Sequence, residues 1–528
     1  MPSRLLMYGR FAFGLPAFLR RRMTPDDASA IIKGRLASRE NNFLRLVRST
    51  VFDRAESPYR SLMRDAGCEP GDVELLVSKE GLDAALCVLS TAGVQLSFDE
   101  FKGRAPIVRG GRTIEITETS FDNPLNSSGM ISQTTGSTGS PTRVNQDLEH
   151  VEAMLPGRIL QQVANGVFGQ PTILYRAGLP SSAAVQGILG HFVMGNPVRR
   201  WFSPVAPGDI GAPMRFRVAQ ATMPIIARLA GQTFPTMEVV STRDAIVVAR
   251  AAAAFVKNEG SCLVRCAIST SLAVAIAAVE EGIDLNGVTF MGAAEPASQA
   301  KVAGIRNSGA AYATHYSMNE AGMVGAACAN GADDTDVHFM RDSLALVPGT
   351  RSVDSHYHPA VAIALTSLLR SAPKILINVD IGDFGIVEER RCGCLLGELG
   401  LVQHVRQIRS AAKLTGRGVT LVGSDIAAVI EELLPARFGG TALDYQLVEE
   451  ENVGGLTVLT LLVSPSIRLD DERAPAMALY DALAAGRPGA SFSGAILKGG
   501  DAVKVRRERP VPNSRGKQPA FRTASASQ

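Results

Sequence analysis

The sequence predicts an α/β protein with a large N-terminal part and a small α+β C-terminal part. Three observations carry this reading: apolar strand-like runs alternate with Ala-rich helical stretches from Asn145 to about Val402, a helical lead-in precedes them, and the texture changes near Lys413. Alternation of that kind favours helices covering sheets. At 528 residues the chain exceeds the roughly 250 to 300 residues at which one hydrophobic core stops growing, so at least two domains are expected. Boundaries are placed at 1–125 (helical segment belonging to the large domain), 126–416 (large domain) and 417–528 (C-terminal domain).

In chain order, the first residues mix apolar side chains with Arg4, Arg10, Arg20, Arg21 and Arg22, without a small-residue cleavage site. They read as a surface or docking helix broken near Pro16. From Asp26 to about Leu89, apolar residues recur at three- and four-residue spacing with charges between them, which is a helical pattern. Arg112 to Phe121 alternates and predicts a strand. ILYRAG, LVRCAI, GVTFMGA and KILINVDIGD supply further strands, with RDAIVVARAAAAFVKNEG and SLAVAIAAVEEG as helices between them. Lys413 to Gly418 followed by TLVGSDIAAVIEELL reads as a strand, a turn and a new helix, which sets the last boundary.

Composition narrows the function classes. With 46% hydrophobic and 20% charged residues and a formal charge of +3, the chain has no overall electrostatic case for nucleic acid or an anionic membrane. The apolar stretch Ser271–Val279 is far shorter than the roughly 20 residues of a spanning helix, so no transmembrane segment is expected. Seven scattered cysteines look like reduced thiols, and a cytoplasmic location is the expectation.

The stretch most informative about chemistry is Thr134-Thr135-Gly136-Ser137-Thr138-Gly139-Ser140-Pro141-Thr142. Hydroxyls and glycines at this density offer backbone N–H and side-chain O–H groups to a polyphosphate, and glycine lets the backbone approach closely. No Gly-Lys-Ser/Thr closes it, so it is not a Walker-type loop. Five further segments follow in order: Met291-Gly292-Ala293-Ala294-Glu295-Pro296, His315-Tyr316-Ser317-Met318-Asn319-Glu320, Ile381-Gly382-Asp383, Thr415-Gly416-Arg417 and Pro512-Asn513-Ser514-Arg515-Gly516-Lys517.

Together these six segments resemble the adenylate-forming superfamily of acyl-CoA synthetases, luciferases and peptide-synthetase adenylation domains, in particular its phenylacetate-CoA ligase-like branch, whose phosphate loop also ends in Thr. The resemblance covers about Ser132 to Lys517. It implies a large multi-sheet adenylate-forming domain with a small mobile C-terminal lid, and an enzyme that activates a carboxylic acid with ATP and Mg²⁺. The acyl group then passes to a thiol, coenzyme A first, with a carrier-protein thiol or an amine as the alternative and a nucleotide-binding paralogue without ligase activity as the other class. A homodimer is allowed.

The resemblance assigns the ATP phosphates to Thr134, Thr135, Gly136, Ser137, Thr138 and Gly139. It assigns adenine and ribose to Ala293, Ala294, Glu295, Pro296, Tyr316, Asp383 and Arg417, the Mg²⁺ to Glu320, and catalysis to Lys517, Glu320 and Asn319. Physically, a carboxylate attacking an already negative phosphorus needs cations and aligned donors as pyrophosphate departs; Mg²⁺ near Glu320 and the Lys517 ammonium would supply them. Asp383 would fix the ribose and Tyr316 would offer a flat face to the purine.

Read singly, each residue has an ordinary role: Tyr316 as a core aromatic, Glu320 as a helix N-terminal carboxylate, Asp383 as a turn cap, Lys517 as one charge of a basic tail. Ser317, Asn319, Asp380, Ile381 and Gly418 depart from the family pattern, and these departures bear on the second half-reaction more than on the first. Cys392-Gly393-Cys394 is similar to a Cys-Pro-Cys that binds zinc in some members of the branch. A structural zinc needs four ligands, and with only Glu398 and His404 following, two buried thiols without metal are expected. His356 and His358, with Asp354 near, read as a core or surface pair.

Overall fold

The computed structural model describes residues 4–126, 129–133, 143–179, 181–206, 214–293, 295–354, 359–410, 413–416, 419–451, 457–485, 503–513 and 516–523. Two short hairpins come first, β1–β2 (Ile107–Arg109, Arg112–Ile114) and β3–β4 (Met130–Gln133, Arg143–Gln146). A 12-stranded sheet then dominates the chain. Its strands are β5 (Thr172–Tyr175), β6 (Arg200–Ser203), β7 (Met237–Val239), β8 (Cys262–Ala267), β9 (Val288–Ala293), β10 (Ala311–Met318), β11 (Gly322–Ala327), β12 (Val337–Phe339), β13 (Leu344–Asp354), β14 (Pro359–Ser367), β15 (Val379–Glu389) and β16 (Gln403–Ser410). The order across the sheet is β13-β14-β15-β16-β12-β11-β10-β9-β8-β5-β6-β7.

The sheet has two halves of different character. From β7 to β10 every pair is parallel, whereas β10 pairs antiparallel with β11 and the remaining pairs are antiparallel as well. Continuous apolar runs such as Cys262–Ala267 fit the parallel half, which helices cover. The helix Ile268–Glu280 packs on β8 and β9, and Leu155–Ala164 and Ser182–Val193 contribute to the core that holds Leu174.

The N-terminal helices lie on the antiparallel half. Phe43, Tyr59, Phe101 and Phe121 share one core with Phe339, Leu346, Ile363 and Val379. The buried Tyr59 hydroxyl accepts from the Ile377 N–H at 3.0 Å. Asn378, in the left-handed region at φ 50°, donates its amide to Leu86 O and Val94 O at 2.9 and 3.1 Å. These bonds tie the segment leading into β15 to the helical lead-in, satisfying buried polar groups that would otherwise cost more than they contribute.

Three sequence expectations are corrected. The first helix, Arg4–Leu19, runs through Pro16 unbroken, and Phe11, Leu15, Phe18 and Leu19 are buried core residues. The strand read from Arg112 to Phe121 stops at Ile114, because Thr117 N–H donates to Ser120 Oγ at 2.9 Å and closes a hydroxyl-stabilised turn. The Lys374–Asn378 part of KILINVDIGD is not strand; β15 begins at Val379.

Beyond the β17–β18 hairpin (Lys413–Gly416, Val419–Val422), residues 426–520 build a core of their own around Leu447, Leu461 and Leu479. Its sheet has the order β21-β20-β19-β22, with β19 Tyr445–Glu451, β20 Thr457–Val463, β21 Val503–Arg507 and β22 Phe521–Thr523. A buried ion pair, Lys301 Nζ to Glu431 Oε1 at 2.6 Å, joins this part to the helix Gln299–Arg306. Among the described residues no helix is long and apolar enough to cross a membrane.

Candidate functional site

Among the described candidate residues, Glu295, Tyr316, Asn319 and Glu320 lie at or just past the C-terminal ends of the parallel strands β9 and β10, the region where open α/β sheets leave a crevice for ligands. Parallel pairing sets Ala293, the last residue of β9, beside His315 of β10. Tyr316 follows at a β-bulge, a device that re-aims a side chain. Asn319 and Glu320 occupy the turn into β11. That turn requires glycine at Gly322, where φ is 87° and a Cβ would come within 2.4 Å of Met154 Sδ.

Tyr316 and Asp383 are 67 positions apart and meet: the phenol donates to Asp383 Oδ2 at 2.7 Å. Burial, reinforced by the Asp383 carboxylate, pushes the phenol far above its usual range, so it stays a neutral donor. Asp383 is presented by Gly382, whose φ of 78° and whose Cα, with a Cβ only 3.2 Å from the Phe98 ring, admit no side chain without strain. Gly382 N–H donates to Asp380 Oδ1 at 2.8 Å.

Glu320 lies in the β10–β11 turn, not at a helix N-terminus, and it is buried against Lys102 as an ion pair. Lys102 follows a short helix, Phe98–Phe101, started by a Ser97–Glu100 capping box. Its ammonium also sits 5.4 Å from the Phe98 ring centroid. Sequence reasoning missed Lys102 because it belongs to the lead-in outside the family resemblance. The capping box was the only local signal of a helix there. Asn319 offers its carbonyl to Gln146 Nε2 at 3.0 Å, which anchors the turn to β4.

Glu295 and the Lys517 turn approach each other through Ser269. Glu295 Oε2 accepts from Ser269 N–H at 3.0 Å and from its hydroxyl at 2.6 Å, while Gln518 N–H donates to Ser269 Oγ at 3.2 Å. Lys517 N–H donates to Asn513 Oδ1 at 3.1 Å, and Asn513 N–H returns to Lys517 O at 2.7 Å. Gly516, at φ 72°, lies against Pro204 just past β6. Pro296 follows Glu295 on the segment leading to the helix Gln299–Arg306. Thr134, Thr135, Gly136, Ser137, Thr138, Gly139, Ala294 and Arg417 lie outside the described residues, as do Ser514, Arg515, Gly418, His356 and His358.

A second cluster lies at the far side of β12. Cys328, His338, Cys392 and His404 present ligand atoms all within 4.8 Å of one another. Cys394 joins them, its Sγ 3.4 Å from Cys392 Sγ and 3.0 Å from His338 Nε2. Hydrogen bonds from Cys328 and then His338 hold the Cys394 thiol well below its ordinary range. The other ring nitrogens are already engaged, His338 Nδ1 with Leu401 O at 2.6 Å and His404 Nδ1 with Asp336 at 2.8 Å. This is the outer-layer pattern of metal-ligating histidines. Three thiols and two imidazoles exceed the four ligands of a tetrahedral zinc, so this donor set fits one. The sequence reading paired Cys392 and Cys394 with Glu398 and His404 as the only further donors; Cys328 and His338 supply the missing ones.

No family model matches the chain and no curated protein matches it. Among solved structures, it is similar to an open conformation of 2-hydroxyisobutyryl-CoA ligase in complex with 2-HIB-AMP and CoA, at 14% identity over 96% of this chain and 93% of that one, TM-score 0.46. It is also similar to the anthranilate CoA ligase AuaEII in complex with anthranoyl-AMP, at 11% identity over 67% and 59%, TM-score 0.40. A third is O-succinylbenzoate coenzyme A synthetase (MenE) from Bacillus subtilis with ATP and magnesium ion, at 11% identity over 67% and 62%, TM-score 0.39.

Proposed function

We propose that the chain is an adenylate-forming ligase that activates a carboxylic acid with ATP and passes the acyl group to a thiol, coenzyme A. The observation that carries this reading is the Tyr316–Asp383 hydrogen bond of 2.7 Å beside the Glu320 turn. It joins two segments singled out independently in the sequence at one end of the parallel strands. The Ser269 junction between Glu295 and the Lys517 turn adds two more.

In the first half-reaction a carboxylate oxygen bonds to the α-phosphorus while the bond from that phosphorus to the bridging oxygen breaks, releasing pyrophosphate. Lys517 offsets the growing charge and the Asn319 amide holds the acyl-phosphate oxygen. Tyr316 and Asp383 orient the nucleotide, Asp383 through the ribose hydroxyls. Glu320 fits the single carboxylate with which Mg²⁺ is commonly held beside phosphate oxygens; the bound ion would supply charge neutralisation on pyrophosphate. In the second half-reaction the thiol sulfur attacks the acyl carbon, AMP leaves, and the thiol proton goes to solvent. A lid running from 417 to 528 is part of this reading, with Arg417 at its hinge. The cluster of Cys328, His338, Cys392, Cys394 and His404 would hold a structural zinc.

Acid-dependent exchange of labelled pyrophosphate into ATP, over aromatic, short-chain and long-chain acids, tests the reading. Lys517→Ala should abolish exchange while leaving thiolysis of a supplied acyl-adenylate largely intact. Equal loss of both steps would remove Lys517 from its assigned role, and absence of exchange with every acid would sink the ligase reading.

A further inference from the structure

Three arginines converge on one face of the parallel half-sheet. Arg265 of β8 stands opposite Leu174 of β5 and Met291 of β9. Arg176, two residues beyond Leu174 and so on the same face, donates from Nη2 to Cys266 O at 2.6 Å. Arg158 reaches in from the covering helix Leu155–Ala164 and donates to Gln186 Oε1 at 3.0 Å.

Two glycines of the helix Ser182–Val193 face the arginines. A Cβ at Gly187 would lie 3.9 Å from Arg265 Nη1, and one at Gly190 would lie 3.8 Å from Arg158 Nη1. Three residues apart on a helix is one side of one turn, so both guanidiniums border the same side of this helix, which forms one wall of the recess.

None of the three has an acid within salt-bridge reach among the described residues, though Glu295 acts on Arg176 at longer range, and Arg265 makes no side-chain hydrogen bond there. The buried Arg158 Nε also lacks a partner. Burial and the neighbouring guanidiniums push Arg158 down to about 10 and Arg265 down to about 9, and the same three charges, after burial, hold His315 well below its usual range. Arg158 and Arg265 remain cationic at neutral pH, and His315 is neutral. An uncompensated buried charge costs several kcal/mol even after relaxation; here the buried Arg158 stands with the half-buried Arg265 and Arg176, and only Arg176 has a carboxylate, Glu295, acting on it.

The recess adjoins the candidate site. His315 lies on the same face as Arg265, since register carries Arg265 to Met291 and Ala267 to Ala293, which pairs with His315. A hydrogen-bond chain runs from Arg158 to Gln186, from Gln186 to Gln146 at 2.8 Å, and from Gln146 to Asn319 O.

We propose that Arg158, Arg176 and Arg265 receive a second carboxylate, at the far end of the acid being activated, so that the substrate is a dicarboxylic acid. The inference rests on the ligase reading for the reacting carboxylate, but the recess is testable without it. Arginine forks match a carboxylate bidentately. A site whose buried donors go unpaired rejects an analogue lacking the partner by as much as about 10⁴-fold.

The test uses the full-length protein in two measurements. In thermal melting without ATP at matched ionic strength, succinate, glutarate, adipate and phthalate are compared with butyrate, benzoate and sulfate. A diacid should raise the melting temperature where the monoacids and sulfate do not, and Arg265→Met should abolish that shift while Arg265→Lys keeps part of it. In pyrophosphate exchange the diacid should exceed its monoacid by roughly a hundredfold or more in kcat/KM, and Arg265→Met should cut that ratio at least tenfold. Equal stabilisation by sulfate, exchange with monoacids alone, or a ratio unchanged in Arg265→Met overturns the proposal. Diacid stabilisation lost in Arg265→Met, without exchange in the wild type, supports the recess and sinks the ligase reading instead.

Discussion

Replacing Lys102 with Met tests whether the helical lead-in belongs to the candidate site. The Lys102 side chain is 9% exposed and that of Glu320 is 4% exposed, so water screens the pair little. Met keeps the apolar stem against Phe98 and Phe101 and deletes only the charge. Glu320 is then left as a buried carboxylate without its cation, a change that costs about 3 to 5 kcal/mol, a large part of the 5 to 15 kcal/mol typical of a whole domain. The pair itself is worth less, because removing both charges also removes the desolvation of both. Lys102→Met/Glu320→Gln should therefore recover most of the loss, with a coupling on the order of 2 kcal/mol. Urea unfolding midpoints at pH 7 for the wild type, both single variants and the double variant provide the measurement, at unchanged m. A loss under about 0.5 kcal/mol in Lys102→Met, or losses that simply add in the double variant, would refute the reasoning.

Metal analysis of protein purified without added metal should find one zinc per chain, and Cys394→Ser should lower both zinc content and melting temperature; a zinc-free chain whose stability ignores chelators would remove the metal from the cluster. Asp147, pushed up to about 6 by burial and then by Glu149, has a folded pKa above its unfolded one. Its contribution is therefore fully present below about 4 and lost as pH rises through about 6. Asp147→Asn keeps a capping side chain for His150 N–H, so it should be more stable than the wild type at pH 7 by on the order of 2 kcal/mol and no more stable at pH 3.5; an equal difference at both pH values would show that charge is not the cause. Glu431→Gln leaves Lys301 buried with Glu295 as its remaining charge partner and should raise protease sensitivity around residues 413–425, read as cleavage rate at fixed protease; an unchanged rate would show that the pair does not hold the C-terminal part in place.

The parallel strands were legible because buried strands read as unbroken apolar runs, and β5, β8 and β9 fall where ILYRAG, LVRCAI and GVTFMGA predict them. What the sequence hid is long-range. Lys102 and Glu320 are 218 positions apart, and no local spacing foretells a pair that forms only when the lead-in folds onto the sheet. Cys328 and His338 stand far upstream of Cys392 and meet it because β11, β12 and β16 are neighbours in the sheet. Alternation misled between Arg112 and Phe121, where hydroxyl-to-backbone bonds outcompeted a strand. Arg265 was invisible for the opposite reason: one Arg inside LVRCAI reads as an ordinary strand residue until its neighbours on the same face are known.

That Arg265 has no acid partner gains weight from how the rest of the interior treats charge. Lys102 is paired with Glu320, Lys301 with Glu431, Lys374 with Asp122 at 2.5 Å, and Arg390 with Asp336. Each of these cations meets a carboxylate of the chain, as the cost of desolvation demands. The same chain sets three guanidiniums side by side against two glycines, and among the described residues no carboxylate pairs with them; Glu295 acts only on Arg176, and at longer range. Such a departure from the pairing of these four cations lowers folding stability, and departures of that kind concentrate where a ligand restores the balance. A carboxylate arriving with the substrate does so in the one place where a nearby strand end also holds Asn319, Glu320 and Tyr316, so binding energy released at the recess would position the reacting end of the acid.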